Sequence, residues 1–449
     1  MKIISCKEFD KYWESQLVQD DDVKTENAVK EIIAAVRKDG DESVRAFAAR
    51  FDKSSPQKLE VPLSEADRAL DELRGSDPAL VGALELAARN IFSFSLLQKE
   101  QFKDFEHEMG KGLFTGQRVI PVQRAAVYAP SGRFPLISSL LMALIPALSA
   151  GVEEVFLVSP PMENGLPDRG ILAAAGIALA EYLKAADGIA RNKLRVFAIG
   201  GAQAIAAFAF GTKTVPRADV IAGPGNKFVI AAKRLLYGQV GIDFLAGPSD
   251  VLIIADGLSA DGNTEKAAEF VAADILAQAE HDPDARSRAL VPTREFALNI
   301  IAEIEKQITS LPTAETARAS LQNGGLIVVY ESREEAIRIA NIIAPEHLEL
   351  QTADDDSWIP HLKNYGSLFI GALAAEALGD YSAGVNHTLP TLGNARFTGG
   401  LSVRHFLKTV TTLRCAPGEG FEQARQAAEI IARAEGLEAH ARSAVIRGG

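Results

Sequence analysis

Apolar positions recur at helical spacing from Asn27 to Phe51 and again from Ser64 to Leu97, within a first hundred residues otherwise rich in charge. That period predicts amphipathic helices. From about Val119 the texture changes to short β-rich apolar runs. They are Ala125–Tyr128, Val155–Ser159, Arg195–Ile199, Asp219–Ala222, Asp250–Ala255, Ala289–Val291, Gly325–Tyr330 and Ser367–Ile370. Helical patterns separate nearly every pair, which predicts an α/β protein whose parallel sheets are covered on both faces. The longest apolar stretch, Leu136 to Ala150, is too short to span a bilayer and contains Pro146, so it reads as a buried helix. Met162–Lys193 is looser in texture and reads as an insertion. After Thr409 a polar break, Arg414–Gly420, precedes a final helix to about Ser443.

In doubly wound sheets ligands bind beyond the carboxyl ends of strands. Four glycine-rich segments fall there: Tyr128-Ala129-Pro130-Ser131-Gly132, Gly200-Gly201-Ala202-Gln203, Gly223-Pro224-Gly225-Asn226 and Gly247-Pro248-Ser249. Each alone is ordinary turn punctuation; four at successive strand ends point to a ligand. Neither a Gly-x-Gly-x-x-Gly fingerprint nor a Walker-type loop is present, so a dinucleotide would be held in another way.

A formal net charge of -12 argues against a nucleic-acid backbone or an anionic membrane as partner. Cys6 and Cys415 are too far apart in sequence to form a metal or redox motif. The N-terminus turns charged too early for a signal-peptide core, and the expectation is a cytoplasmic protein.

Only seven histidines occur, so their placement is informative. His107, His361 and His405 have ordinary surroundings. Gln278 and His281 are three apart at the end of a helical pattern beginning near Thr264, and so share a face that can hold one cation; a solvated helix end fits the same spacing. Glu346 and His347 follow Pro345, as at a helix start or a loop, and an imidazole beside a carboxylate suits proton transfer. The loop Gly379–Pro390 offers Asp380 and His387 between glycine and proline boundaries. His440 follows Glu435 in the tail. Gln278, His281, Asp380 and His440 form a mixed nitrogen and oxygen set that suits Zn²⁺.

The strings GGAQAIAAFAFGT, AGPGNKFVIAAKRLLYGQVGID, AGPSDVLIIAD, AQAEHD, APEHLEL and GDYSAGVNHTLPT resemble, in order, the blocks of histidinol dehydrogenase. The match runs from about residue 25 to the C-terminus. The resemblance implies two Rossmann-like domains, a homodimer with a swapped C-terminal piece, and oxidation of L-histidinol to L-histidine in two NAD-dependent steps. It implies zinc on Gln278, His281 and Asp380, with His440 from the partner subunit. It further implies His347 as general base, Glu346 as the water activator, and substrate contacts from Ser249, His387, Glu435 and Ser138. Tyr128, Gln203 and Asn226 match positions that bind NAD. The expected division is a helical extension over 1–26, a discontinuous first Rossmann-like domain over 27–127 and 249–401, a second over 128–248, and a helical tail over 402–449.

Three departures bear on the substrate: Arg133 and Phe134 after Ser131-Gly132, the block Arg396–Leu401 with its paired glycines, and the longer 162–193 and 257–265 stretches. They keep open a paralogue acting on another polar alcohol such as dihydroxypropane sulfonate, since a guanidinium suits an anion. A non-catalytic scaffold would have no use for the Glu346–His347 pair.

Overall fold

The computed structural model describes residues 1–16, 22–131, 136–185, 193–245, 247–258 and 264–448. All eight expected strands are present, shifted by a few residues at their ends. They fall into two six-stranded sheets. One has the order Lys2–Ser5, Leu326–Val329, Arg286–Val291, Asp250–Ala255, His347–Gln351, Ser367–Ile370, parallel throughout. The other runs Glu60–Val61, Leu194–Ala198, Glu154–Ser159, Arg124–Tyr128, Val220–Ala222, Gly241–Ile242, parallel except at its short first strand. A third, antiparallel sheet joins Phe105–Gly110, Leu113–Pro121 and Leu407–Cys415.

The central strands are apolar on both faces because helices cover both. Val155, Phe156, Leu157 and Val158 are all buried. Ile137–Ala150 is buried along nearly its whole length, as its composition predicts, and ends at Gly151 in the left-handed conformation. Pro78–Lys99 is long and apolar enough by length and composition to cross a membrane; here Val81, Leu84, Ala88, Ile91 and Phe92 pack into the core.

The sheets divide the chain differently from the expected domains. Val29, Ile32, Val36 and Val44 pack with Phe156, Ile205 and Phe208. Leu70, Leu73, Leu84 and Ile91 pack with Leu144, Leu157 and Leu179. Residues 29–92 thus pack with 128–248, while Phe105–Pro121 pairs with the tail strand Leu407–Cys415. Residues 1–16 are no mere helical extension, because Lys2–Ser5 completes a sheet and Ile4 and Phe9 share a core with Leu252 and Leu290. A helical period shows that a face is buried; it does not say which sheet buries it. The 162–193 region is likewise no loose insertion, since Arg169–Ala185 places Ile171, Ala174 and Ala178 in the core. The tail combines the Leu407–Cys415 strand with helices Glu419–Ala434 and Glu438–Val445, separated at Gly436 with φ of 77°.

Candidate active site

Apart from the edge strands Lys2–Ser5 and Glu60–Val61, chain order in each sheet reverses at one place, between the Arg124–Tyr128 and Val220–Ala222 strands in one and between Asp250–Ala255 and His347–Gln351 in the other. In the first sheet the site residues follow the strands, as expected for a switch point. In the second they precede them: Ser249 stands before Asp250, and His347 opens its own strand. Carboxyl ends of one sheet thus face amino ends of the other, and a cavity of about 210 Å³ lies at the junction. Its walls include Ser138, Ser249, His281, Glu346, His347, Asp380 and His387.

Asp380 ends the Glu376–Tyr381 helix, and the loop that follows it to His387 is held by helices of the opposite sheet. The Asn90 amide donates to Ser382 O at 2.7 Å, and the Asn386 amide to Met142 O at 2.6 Å. Ser139 Oγ lies 2.9 Å from His387 Nε2, and His387 Nδ1 lies 2.7 Å from Asp380 O. A carbonyl only accepts, so Nδ1 carries the proton and Nε2 accepts from Ser139. The block Arg396–Leu401 backs this loop. Leu401 N–H donates to Thr388 O at 2.8 Å, and a Cβ on Gly400 would stand 2.4 Å from Leu389.

His347 is ringed by acids. Its Nε2 lies 3.3 Å from Asp380 Oδ1, and its Nδ1 lies 3.7 Å from Glu376 Oε1 and 3.9 Å from Glu346 Oε2. Burial alone would lower the imidazole pKa, but Glu376, Glu346 and Asp380 outweigh it and hold the ring well above its usual value. Burial pushes Glu346 up to about 8, with Asp250 and Asp380 adding to it against the pull of His347. Asp380 loses solvation too, yet the His347 imidazole 3.3 Å away brings it below the usual carboxylate range.

Two features fit a metal. The Gln278 side chain is wholly buried, and neither its amide oxygen nor its nitrogen has a hydrogen-bond partner among the described residues; Asp380 Oδ1 is in the same condition. Such orphaned groups are costly unless a ligand satisfies them. The Thr264–Ala279 helix, which carries Gln278, packs on the Glu376–Tyr381 helix, which carries Asp380, and His281 acts electrostatically on Asp380 and His387. The tightest group of potential ligands is instead His347, Glu376 and Asp380, whose ligand atoms lie within 4.8 Å of one another. Both His347 ring nitrogens and Glu376 Oε2 are likewise without a hydrogen-bond partner among the described residues, so this group and Gln278 alike offer unsatisfied atoms to a cation.

A second pocket, of about 600 Å³, opens beyond the carboxyl ends of the Arg124–Tyr128 and Leu194–Ala198 strands and contains Tyr128, Gln203 and Asn226. It adjoins the first cavity through consecutive residues: Gly225 lines one, Asn226 the other. Gly223 has φ of 108°, and a Cβ there would stand 2.2 Å from Tyr128 O, so only glycine permits this approach. Asp52, also in this pocket, accepts from Gly200 N–H at 3.3 Å and the Gln203 amide at 3.5 Å. Burial raises it to about 6.

The histidinol dehydrogenase family model matches residues 16–448. The chain belongs to the histidinol dehydrogenase family. It is 44% identical over 426 residues to a histidinol dehydrogenase of Thermus thermophilus, covering 95% of both chains. It is 41% identical over 438 residues to that of Pseudomonas aeruginosa, covering 97% of this chain and 92% of the relative. The crystal structure of histidinol dehydrogenase from Elizabethkingia anophelis superposes with a TM-score of 0.85 at 33% identity, over 96% of this chain and 93% of that one.

Against this family background, the structure brings Ser138, Ser249, His281, Glu346, His347, Asp380 and His387 to one cavity. Glu435 and His440 do not reach it in their own chain, where both are exposed on the tail. Glu346 and His347 converge at the start of a strand, not at a helix start, because their backbones pair into the sheet. Arg133 and residues 259–263 lie outside the described residues. Sequence reasoning missed Glu376, Asp52 and Ser139. For Glu376 the available signal was its spacing of four from Asp380 within one helix.

Proposed function

We propose that the chain oxidises L-histidinol to L-histidine in two NAD-dependent steps, with zinc as its metal. The observation that carries this is the joining of Glu346, His347, Asp380 and His387 in one cavity that adjoins the Tyr128–Gln203–Asn226 pocket through Gly225 and Asn226.

In the first step the substrate hydroxyl gives its proton to the His347 imidazole as its carbon loses hydride, leaving an amino aldehyde. In the second, Glu346 takes a proton from water as that oxygen bonds to the aldehyde carbon, and the hydrate loses a second hydride to the NAD and its remaining acidic proton to solvent to become the carboxylate. Ser249, His387 and Ser138 orient the substrate, with Glu435 supplied by a second copy. Gln278, His281 and Asp380 would hold the zinc, with His440 from a second copy; bound there it would supply a Lewis acid that anchors the substrate. NAD on Tyr128, Gln203 and Asn226 would accept each hydride. Exposed Ile430, Ile431, Leu437 and Ile446 on the tail support its docking on that second copy as a homodimer.

The Asp380 carboxylate in the cavity wall, held below the usual carboxylate range, favours a cationic amino alcohol such as L-histidinol over an anion such as dihydroxypropane sulfonate. The deciding experiment follows NADH with metal-loaded protein and each compound. Two NADH per L-histidinol are expected; turnover of the sulfonate alone would replace this reading with the paralogue. Metal analysis of His281→Ala tests the ligand set, and undiminished zinc would remove His281 from it.

A further inference from the structure

Beside Glu346 lies an ion pair that the proposed chemistry does not use. Arg288 Nη1 and Asp250 Oδ2 are 3.1 Å apart, with side-chain exposures of 6% and 8%. Asp250 and Glu346 are also bound to each other twice. The Asp250 N–H donates to Glu346 Oε2 at 3.0 Å, and the Glu346 N–H donates to Asp250 Oδ1 at 3.3 Å. Each Asp250 carboxylate oxygen therefore has an assigned partner, one the Glu346 backbone and the other Arg288. The guanidinium in turn lies over the Trp13 ring, 5.4 Å from its centroid.

A buried Asp–Arg pair is a weak source of stability, because desolvation roughly cancels attraction. What this pair supplies is a fixed location. It clamps Glu346 to the start of the central strand, whose next residue, Val251, is in register with His347. His347 has other supports in Glu376 and Asp380, so losing the pair falls first on Glu346. We infer that Asp250 and Arg288 are positioning residues that fix the Glu346 backbone, and through it the Glu346 carboxylate, for the water-activating half of the reaction. The inference rests on the two-step oxidation proposed above.

The test separates the two halves. The double variant Asp250→Ala/Arg288→Met removes both charges together and leaves neither buried alone; Arg288→Lys keeps the charge but loses the planar fork. For each, the first transfer is read as the single-turnover NADH burst from L-histidinol, and the second as steady-state turnover of the amino aldehyde supplied directly. Zinc and NAD binding are measured alongside.

The inference expects the burst to stay within about twofold of wild type. Aldehyde turnover should fall at least about tenfold in the double variant, since small misplacements of a reacting group are this costly. Arg288→Lys should fall between, and carries the same comparison if the double variant does not fold. Equal losses in both halves, or no loss in either, overturn it. Wild-type protein that turns over neither compound would instead fail the two-step reading, and the inference with it.

Discussion

Glu376, Glu346 and Asp380 raise the His347 pKa well above its usual value, which works against its accepting a proton. A dication on Asp380 would cancel one of those charges, so the base and the metal are expected to depend on each other. His347→Asn should lower turnover by about 10²–10⁴-fold while zinc content and NAD binding stay near wild type; near-normal NADH production would remove the base assignment. Asp52 gives a pH-dependent prediction. Its folded pKa of about 6 lies above the ordinary value of 3.8, so between these values the folded state binds more protons and stability falls as pH rises. Asp52→Asn should therefore raise the thermal midpoint of the ligand-free protein at pH 8, with the gain vanishing below pH 4. A constant gain at both would exclude Asp52 as its source. The chemistry-bearing residues were legible because scarce histidines stood in dense polar motifs. Glu376, Asp250 and Arg288 were not, because a single polar residue within a helix or strand does not say what it faces once buried.

At the level of elements, one aromatic cluster ties sheet to helix. Phe156, Phe197 and Phe208 have ring centroids 5.2–5.8 Å apart and are all under 2% exposed. Phe208→Ala should cost about 3–5 kcal/mol, read by denaturant unfolding; a loss below about 1 kcal/mol would mean the helix repacks freely. The long parallel strands were legible because apolar runs between helical patterns have few other readings. His347–Gln351 was not, since its alternation His-Leu-Glu-Leu-Gln carries buried polar groups where a central strand usually has aliphatic ones. Lys2–Ser5 was too short to register, and the Phe105–Pro121 hairpin is largely solvent-facing, so it lacks an apolar signature.

For the whole molecule, the sequence conveyed the α/β class but not the partition. Which sheet a helix covers is decided by contacts distant in sequence, as with Val29 on Phe208. The same holds for the tail, whose His440 and Glu435 leave their own chain's cavity. If a second copy receives them, mixing His347→Asn protein with His440→Ala protein should restore activity that neither has alone. With random exchange about a quarter of wild-type turnover returns, because half the dimers are mixed and each carries one intact site. No recovery after verified exchange would place His440 elsewhere. The pairing of Lys2–Ser5 with Leu326–Val329 bears on how the polypeptide matures. The Lys2–Ser5 strand must wait for more than three hundred residues to follow it before its partner exists, while the Arg124–Ile242 sheet can assemble in the interval. Refolding from denaturant should thus end with a slow closure at the amino terminus, and a label on Lys2 would report native structure last.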